Sequence, residues 1–192
     1  KVEFNIRIKT SSEYVIKAIG AGFQNGLGVQ LDIDPSQIGS VNGNDLENGL
    51  FNTSANGTES GQVRAVIPIS DNVHQSFGTM GFVNTDPNQA YLTPDTITVN
   101  TTFSTPISLS GAGVAPFNPF LVINQTRGRE VHLPGYKPTD LVDHSYFGEG
   151  NDDSNPEIDR YYKSKTGLPW GMNLPESFDY PMEKNRVRDA YN

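Results

Sequence analysis

The chain has 192 residues and a net charge of −8, and its sequence pI is near 4.8. Because an acidic surface repels phosphate backbones and anionic lipids, this charge disfavours nucleic acid and the membrane surface as partners. Cysteine is absent, which excludes disulfides, thiolate metal sites and a cysteine nucleophile, and points to a bacterial or a cytosolic protein.

Alternation of apolar and polar residues predicts strands from the start of the chain. KVEFNIRIK, at 1–9, alternates strictly and predicts a half-buried antiparallel strand. EYVIKAIGAG, at 13–22, predicts a second strand that ends where its glycines begin. GFQNGLGVQLDID, at 22–34, predicts a tight glycine loop that leads into a further strand.

The middle of the chain continues this pattern. QVRAVIPIS, at 62–70, and DTITVNTTFS, at 95–104, predict strands, and in the latter Ile97, Val99 and Phe103 share a face. PFLVINQTRGREVHL, at 119–133, predicts two short strands around a turn at 127–128. Several strands separated by turn signals are typical of a sandwich or barrel.

From residue 133 onward the sequence is rich in proline and aromatic residues and shows no sustained periodicity. A segment of this length without regular structure is often functional. MEKNRVRDAYN, at 182–192, follows a proline and predicts a short terminal helix. We therefore expect a single domain over 1–192 that is mainly β. Its expected fold is a jelly-roll-like antiparallel β-sandwich with a long irregular C-terminal segment and that short helix.

Several stretches, in chain order, resemble the LruC-type domain of bacterial lipoproteins and secreted proteins. They are GAGFQNGLGVQLD (20–32), VIPISDNVH (66–74), GFVNTD (81–86), APFNPFLVINQTRGREVHLPGYKPTDL (115–141), FGEGNDDSNPEIDRYYKSKTGLPW (147–170) and FDYPMEKNRVRDAY (178–191). The resemblance implies an extracytoplasmic bacterial protein: a cell-surface or outer-membrane lipoprotein, or a periplasmic or secreted protein. It implies no established activity and no catalytic residues. Lys1 falls directly in a strand pattern, so we expect a longer precursor, with any membrane association made by a lipid anchor upstream.

The acidic stretch GEGNDDSNPEIDRYY, at 148–162, alternates polar side chains as calcium loops do. The EF-hand pattern fails, because counting from Asp153 position six is Ile158 and position twelve is Ser164. Calcium in another geometry and a solvated turn both remain open. The candidate metal ligands are Asp152, Asp153, Asn155, Glu157 and Asp159, and a weaker oxygen-rich stretch at 42–49 offers Asn44, Asp45 and Glu47.

Aromatic residues crowd the same irregular segment and offer a second kind of site. Exposed rings beside polar side chains can stack on sugars, which predicts a glycan ligand, and another surface protein is the other candidate partner. Alternatively, the rings bury the segment against the sheet. The candidate ligand-binding residues are Tyr136, Tyr161, Tyr162 and Trp170.

Catalytic signals are weak. Asp143, His144 and Ser145 are consecutive, and adjacent residues rarely point at one another, so a loop histidine is the preferred interpretation. Glu130 and His132 share a strand face and predict a structural pair. We expect a surface module that binds or has a structural, adhesion-like role, without assigned catalytic residues. The alternatives are a carbohydrate-binding module and a hydrolase whose carboxylates the sequence does not identify.

Overall fold

The computed structural model describes residues 6–20 and 22–174, and these form two antiparallel sheets. Seven strands are found there: β1 Ile6–Ile16, β2 Gly26–Gln30, β3 Ile38–Asn42, β4 Val66–Ser70, β5 Asp95–Ser108, β6 Asn118–Val122 and β7 Glu130–His132. One sheet has the order β1-β5-β3 and the other the order β4-β2-β6-β7. The prediction of a mainly β protein with two packed antiparallel sheets is confirmed.

Helical structure within the described residues is limited to short 3₁₀ turns. They span Pro35–Gln37, Gln75–Phe77, Leu109–Ala112, Ile123–Gln125, His144–Tyr146 and Pro156–Ile158. In the part of the chain with described coordinates, no helix is long and apolar enough to cross a bilayer. The terminal helix predicted over 182–192 lies outside the described residues.

Two details of the strand prediction are wrong. The stretches 1–9 and 13–22 do not make two strands, because Ile6–Ile16 is one continuous strand paired along β5. Gly26 and Gly28 belong to β2 instead of a loop. The physical reason at Gly28 is close packing, since a Cβ there would lie 2.6 Å from the Phe120 ring. β3 has no counterpart in the predicted strands, whereas β4 and β7 fall within them, β6 begins at Asn118, just before its predicted start, and β5 continues past its predicted end to Ser108.

The apolar core lies between the two sheets. Val29, Ile67 and Ile69 of the four-stranded sheet pack against Ile97 and Val99 of the three-stranded sheet. Successive strand residues point to opposite faces, so the alternation along β5 places every second side chain in this core. The shared face predicted for β5 is therefore the buried face.

A third layer of loops covers the outer face of the four-stranded sheet. Phe120 and His132 of β6 and β7 stack there with their ring centroids 4.8 Å apart. The Tyr162 ring, from the irregular C-terminal segment, stacks on His132 at 4.9 Å. Tyr161 and Tyr162 are both buried. The rings of Tyr161 and Tyr162 therefore hold residues 133–174, called here the loop layer, against the sheet, as the second interpretation predicts for these two of the four candidate aromatic residues.

Candidate ligand-binding site

A buried ionic network anchors the loop layer to the sheet. Arg127 donates from Nε to Glu59 Oε1 at 2.6 Å and from Nη2 to Glu59 Oε2 at 2.7 Å, and it also pairs with Glu130. The side chains of Glu59 and Glu130 are almost fully buried. The Arg127 guanidinium also lies 5.8 Å from the ring centroids of Phe51 and Phe120. A planar cation between two buried carboxylates offsets much of the cost of burying them.

Glu130 has a donor for each carboxylate oxygen. Thr139 donates its main-chain N–H to Oε2 at 3.0 Å and its hydroxyl to Oε1 at 2.5 Å, and His132 Nε2 lies 2.8 Å from Oε2. Burial alone raises the pKa of Glu130, but the hydrogen bond from His132 and the charges of His132 and Arg127 outweigh it and lower that pKa to about 2. The predicted structural pair of Glu130 and His132 is confirmed.

Burial and a hydrogen bond shift the pKa of the His132 ring in opposite directions. Burial, the larger of them, lowers the pKa of the ring, and the hydrogen bond with the Glu130 carboxylate raises it. The other ring nitrogen, Nδ1, lies 2.6 Å from Asn118 Oδ1. His132 is therefore held from both sides in the plane of its ring and stacked on both faces, which makes it a fixed support for Tyr162.

Between the edge of β7 and the loop layer lies an open pocket of about 440 Å³. We call it the Trp170 pocket. Its aromatic lining residues are Phe23, Tyr146, Phe147, Tyr162 and Trp170. Its polar and charged lining residues are Arg129, Glu130, Glu149, Asn151, Asp152 and Ser154. An aromatic concavity with a few convergent polar groups is the usual composition of a small-ligand site.

Trp170 forms a half-exposed wall of this pocket, with 46% of its surface accessible. The indole Nε1 donates to Asp152 Oδ1 at 2.8 Å, which fixes the orientation of the ring. Asp152 also accepts from the Ser154 hydroxyl and from the main-chain N–H groups of Gly148 and Ser154. Burial raises the pKa of Asp152, but these hydrogen bonds outweigh it and leave the pKa below its usual value. Trp170 is therefore a positioned surface ring and not a core anchor.

The pocket wall also contains main chain of Glu130 in β7, of which a small part is accessible. The Glu130 side chain has no accessible surface although the residue as a whole is 6% exposed, so the accessible atoms are main-chain atoms. Ile123 N donates to Arg129 O, and hydrogen-bonded pairs alternate in an antiparallel ladder. The N–H and C=O of Glu130 therefore point away from β6. No hydrogen bond from residues 6–20 or 22–174 reaches them, so they can bind a ligand.

Tyr162 is the second unusual group at the site. Its φ of +59° is a conformation that bulky residues rarely adopt, and its main-chain N–H is held by the Ser154 hydroxyl at 2.9 Å. The phenol oxygen is buried and has no hydrogen-bond partner among the described residues. Burial, reinforced by the charge of Glu130, raises the pKa of this hydroxyl, so it stays protonated. Strain and an unpaired polar atom at one residue are typical of a functional site.

The predicted acidic loop uses its side chains within the protein. Asp153 pairs with Arg160 at 3.0 Å and Asp159 pairs with Lys137 at 2.9 Å. Asn155 accepts from Glu157 N and caps the 3₁₀ turn that follows. Within the described ranges, no group of three or more His, Asp or Glu side chains is placed to hold a metal ion. Calcium binding by this loop stays a prediction, and the loop contributes Asp152 to the Trp170 pocket.

The candidate aromatic residues divide between different places. Trp170 and Tyr162 line the same pocket, Tyr161 is buried behind it, and Tyr136 lines a different pocket. Sequence reasoning missed Arg129, Glu149 and the Glu130 main chain as lining groups. The alternating residues of REVHL predict a strand. The sequence does not show which edge of that strand lacks a partner, because this depends on the order of the strands in the sheet.

The weak catalytic triplet is part of a turn. Asp143 accepts from Ser145 N at 2.9 Å and caps the 3₁₀ turn, and the His144 ring packs against Phe147. The carboxylates of Glu130 and Asp152 already have donors on both oxygens. The pocket therefore presents surfaces for binding more readily than groups for acid–base chemistry.

The fold and the pocket define an antiparallel two-sheet β protein with a loop layer and an open, partly aromatic pocket. The chain belongs to the family described as domain of unknown function DUF4842, whose model matches residues 6–192. Searches of curated proteins and of solved structures gave no match. The family match does not address the resemblance to the LruC-type domain, which stays a prediction.

Proposed function

We propose that the chain is an extracytoplasmic bacterial surface module that binds a neutral glycan in the Trp170 pocket. The observation that carries the proposal is the half-exposed Trp170 ring placed in the same pocket as the unpaired main chain of Glu130. A sugar ring has both surfaces that this pocket needs, an apolar C–H face and an edge of hydroxyl groups. The role in an assembled surface is adhesion-like: the module holds a polymer and leaves it unchanged.

The ring of Trp170 supplies the apolar part of the contact. Its indole N–H is already bonded to Asp152, so the remaining ring surface offers contact to C–H groups without leaving a polar atom unpaired. Hydroxyl groups both donate and accept, and so they match the N–H and the C=O of Glu130 together. Asn151 and Glu149 add side-chain partners at the pocket wall.

The charge of the pocket favours a neutral ligand. Glu149 and Asp152 contribute negative charge, and the positive lining residue, Arg129, lies with its guanidinium 5.3 Å from the Tyr146 ring centroid. An anionic sugar must approach two carboxylates in a partly enclosed site, where like charges repel more strongly than in bulk water. We therefore expect uronic acids and sulfated sugars to bind more weakly than neutral sugars.

The geometry of β7 disfavours an extended peptide as the ligand. Strand addition needs several consecutive main-chain groups along a sheet edge. On one side of Glu130, Asp143 N already donates to Gly128 O, and on the other side Gly171 lies against the His132 carbonyl. The accessible edge is therefore about one residue pair long, which suits a compact polar ligand.

The proposed extracytoplasmic location is supported by the sequence alone. The chain combines loop-rich composition with an absence of cysteine, and it resembles the LruC-type domain of bacterial surface proteins. Loop-rich secreted domains of eukaryotes usually carry disulfides, so the absence of cysteine favours a bacterial protein over a eukaryotic secreted one.

Trp170 is the single tryptophan of the chain, so its fluorescence reports on the pocket directly. We expect neutral oligosaccharides from a bacterial and plant glycan panel to change the Trp170 emission and to protect it from acrylamide quenching. Isothermal titration of the best ligand should show at least about a tenfold loss of affinity in Trp170→Ala, or about 1.4 kcal/mol. Trp170→Phe, which keeps a ring but loses the bond to Asp152, should bind with intermediate affinity.

Tyr136→Ala is the matched control, because Tyr136 was a candidate by the same sequence argument but lines another pocket. It should bind the same glycan with unchanged affinity. The proposal is wrong if no neutral glycan changes the emission of folded protein, or if Trp170→Ala and Tyr136→Ala weaken binding equally.

A further inference from the structure

A second pocket, of about 470 Å³, opens on the other side of the buried polar network and is independent of the proposed glycan site. We call it the Gln30 pocket. Gln30 and Asn118 come from the ends of β2 and β6, and the side chains of Asp32, Arg64, Lys137 and Asp140 surround them. Phe117, Val63, Val114 and Pro138 supply its apolar surface.

Hydrogen bonds determine which way the Gln30 side chain points. Asn118 Nδ2 donates to the Lys137 carbonyl at 2.9 Å and to Gln30 Oε1 at 3.0 Å. A carbonyl oxygen is only an acceptor, so it fixes the Asn118 amide and, through it, the Gln30 carbonyl. The Gln30 N–H₂ group must therefore point the other way. Within the described residues no acceptor reaches it, although Gln30 is only 7% exposed.

The base and the rim of the pocket hold donors that remain available to a ligand. Asp32 accepts from Arg64, and Asp140 accepts from the Val63 N–H at 2.8 Å. Arg64 and Lys137 are more than half exposed, and each contacts one carboxylate while keeping further N–H groups. Exposed ion pairs of this kind rearrange at little cost. A ligand group rich in acceptors therefore meets Gln30 at the base and cations at the rim.

The wall of the pocket shows a strained aromatic residue, as the Trp170 pocket does. Phe117 has a φ of +62°, which bulky side chains rarely adopt, and its ring packs on the inter-sheet core. Such strain persists where the surrounding structure enforces it, and it concentrates at ligand sites. Val63 and Val114 remain about three-quarters exposed beside it, so the rim offers apolar contact to a bound side chain.

We propose that the Gln30 pocket binds the C-terminal carboxylate of a peptide, with the last side chain on Phe117, Val63 and Val114. The carboxylate accepts from the Gln30 N–H₂ group and from Arg64, whose planar fork matches two carboxylate oxygens. This gives the module a protein partner at a site separate from the glycan. It uses the captured-terminus mode of peptide recognition, in which a few donors hold a chain end.

The test compares two probes that differ in one group. N-acetyl-L-leucine carries a carboxylate, and N-acetyl-L-leucinamide has the same body with a neutral amide. In ¹H–¹⁵N spectra of the whole chain, we expect the carboxylate probe at millimolar concentration to shift the Gln30 side-chain N–H₂ signals. The amide probe should bind at least about tenfold more weakly, because it replaces an ionic hydrogen bond by a neutral one.

Two variants test the residues. Gln30→Glu keeps the oxygen that accepts from Asn118 but replaces the N–H₂ donor by an anionic oxygen, so carboxylate binding should be lost. Because a buried charge can destabilise the fold, Arg64→Gln on the exposed rim is the second variant, with an expected loss of about fivefold or more. Trp170→Ala should leave this binding unchanged, which separates it from the glycan site.

The proposal is overturned if neither probe shifts the Gln30 signals, or if both probes bind equally. It is also overturned if Arg64→Gln folds normally and binds the carboxylate as tightly as the original chain. None of these results bears on the binding of glycan at Trp170, so the two proposals fail separately.

Discussion

The two sides of the four-stranded sheet are built from different chemistry. On the inner side, Val29, Ile67 and Ile69 meet the other sheet in an apolar core. On the outer side, Arg127, two buried carboxylates and a stack of rings hold the loop layer. The inner contact is non-directional, whereas the outer side adds contacts that depend on specific partners to a smaller apolar cluster of Phe51, Val66, Phe120 and Val122. Both pockets lie where the outer layer meets the sheet, so the directional side of the sheet carries the candidate sites.

The largest expected effect comes from removing the shared cation. Arg127→Met leaves Glu59 and Glu130 buried without their partner, and it should lower the free energy of unfolding by about 3–5 kcal/mol. Urea unfolding followed by Trp170 emission measures this change. The matched control is Arg160→Met, whose exposed pair with Asp153 should contribute about 1 kcal/mol or less. Equal losses in the two variants would contradict a special role for the buried network.

Low pH should lower the free energy of unfolding, because protonation of Glu130 removes the charge that helps to hold the loop layer on the sheet. Its pKa in the folded protein is about 2, below the ordinary value of 4.5, so the ionised group stabilises the fold fully above pH 4.5. As the pH falls from 4.5 towards 2, this contribution is lost at up to about 1.4 kcal/mol per pH unit. Urea titrations at pH 7, 4 and 3 measure the slope. Glu130→Gln should flatten it, and an unchanged slope would show that other groups cause the acid sensitivity.

Trp170 should matter little for stability despite its position. Trp170→Ala removes the hydrogen bond to Asp152 and a half-exposed ring, and the expected loss is about 1 kcal/mol. Thermal unfolding followed by circular dichroism gives the value. Tyr162→Ala, which removes a buried ring from the stack, is the contrasting variant and should cost several times more. If Trp170→Ala unfolds the protein, Trp170 belongs to the core and the proposed glycan site is lost with it.

Calcium gives the smallest expected effect. Four of the five candidate ligands, Asp152, Asp153, Asn155 and Asp159, have protein partners for their side chains, so adding calcium or a chelator should leave the melting temperature unchanged within error. A calcium-dependent rise that Asp153→Ala abolishes would contradict this expectation and would establish the metal site that the alternating oxygens of the sequence suggest.

The core between the two sheets was largely predictable from sequence, because burial of one face imposes a period of two on β5, whose Ile97, Val99 and Phe103 face this core. The short edge strand β3 was not predicted. The glycines of β2 were not predicted as strand residues either, because Gly28 is required by the Phe120 ring, which is distant in sequence. The loop layer was predictable only as an aromatic segment that packs on the sheet. Its partners, such as Arg127 and Glu59, are 68 residues apart, and no periodicity marks such a contact.

The candidate site was half predictable for the same reason. Trp170 and Tyr162 stand out by residue type, and both line the pocket. The Glu130 main chain was not predictable, because its N–H and C=O lack a partner only where β7 is the last strand of the sheet. Tyr136 fits the same composition argument, yet it lies at the Gln30 pocket. Composition identifies the segment that forms the site, and only the packing assigns its members.

Hydrogen exchange of main-chain amides is the most direct test of whether the loop layer is an integral part of the fold. The amides of Thr139, Asp153, Tyr162 and Trp170 have acceptors within the protein, so their protection should approach that of the β2 and β6 amides. Arg127→Met should reduce the protection of these four before it affects the strands. Exchange of the four at the rate of an unfolded chain, in a protein whose sheets stay protected, would contradict the layer and both pockets that it forms.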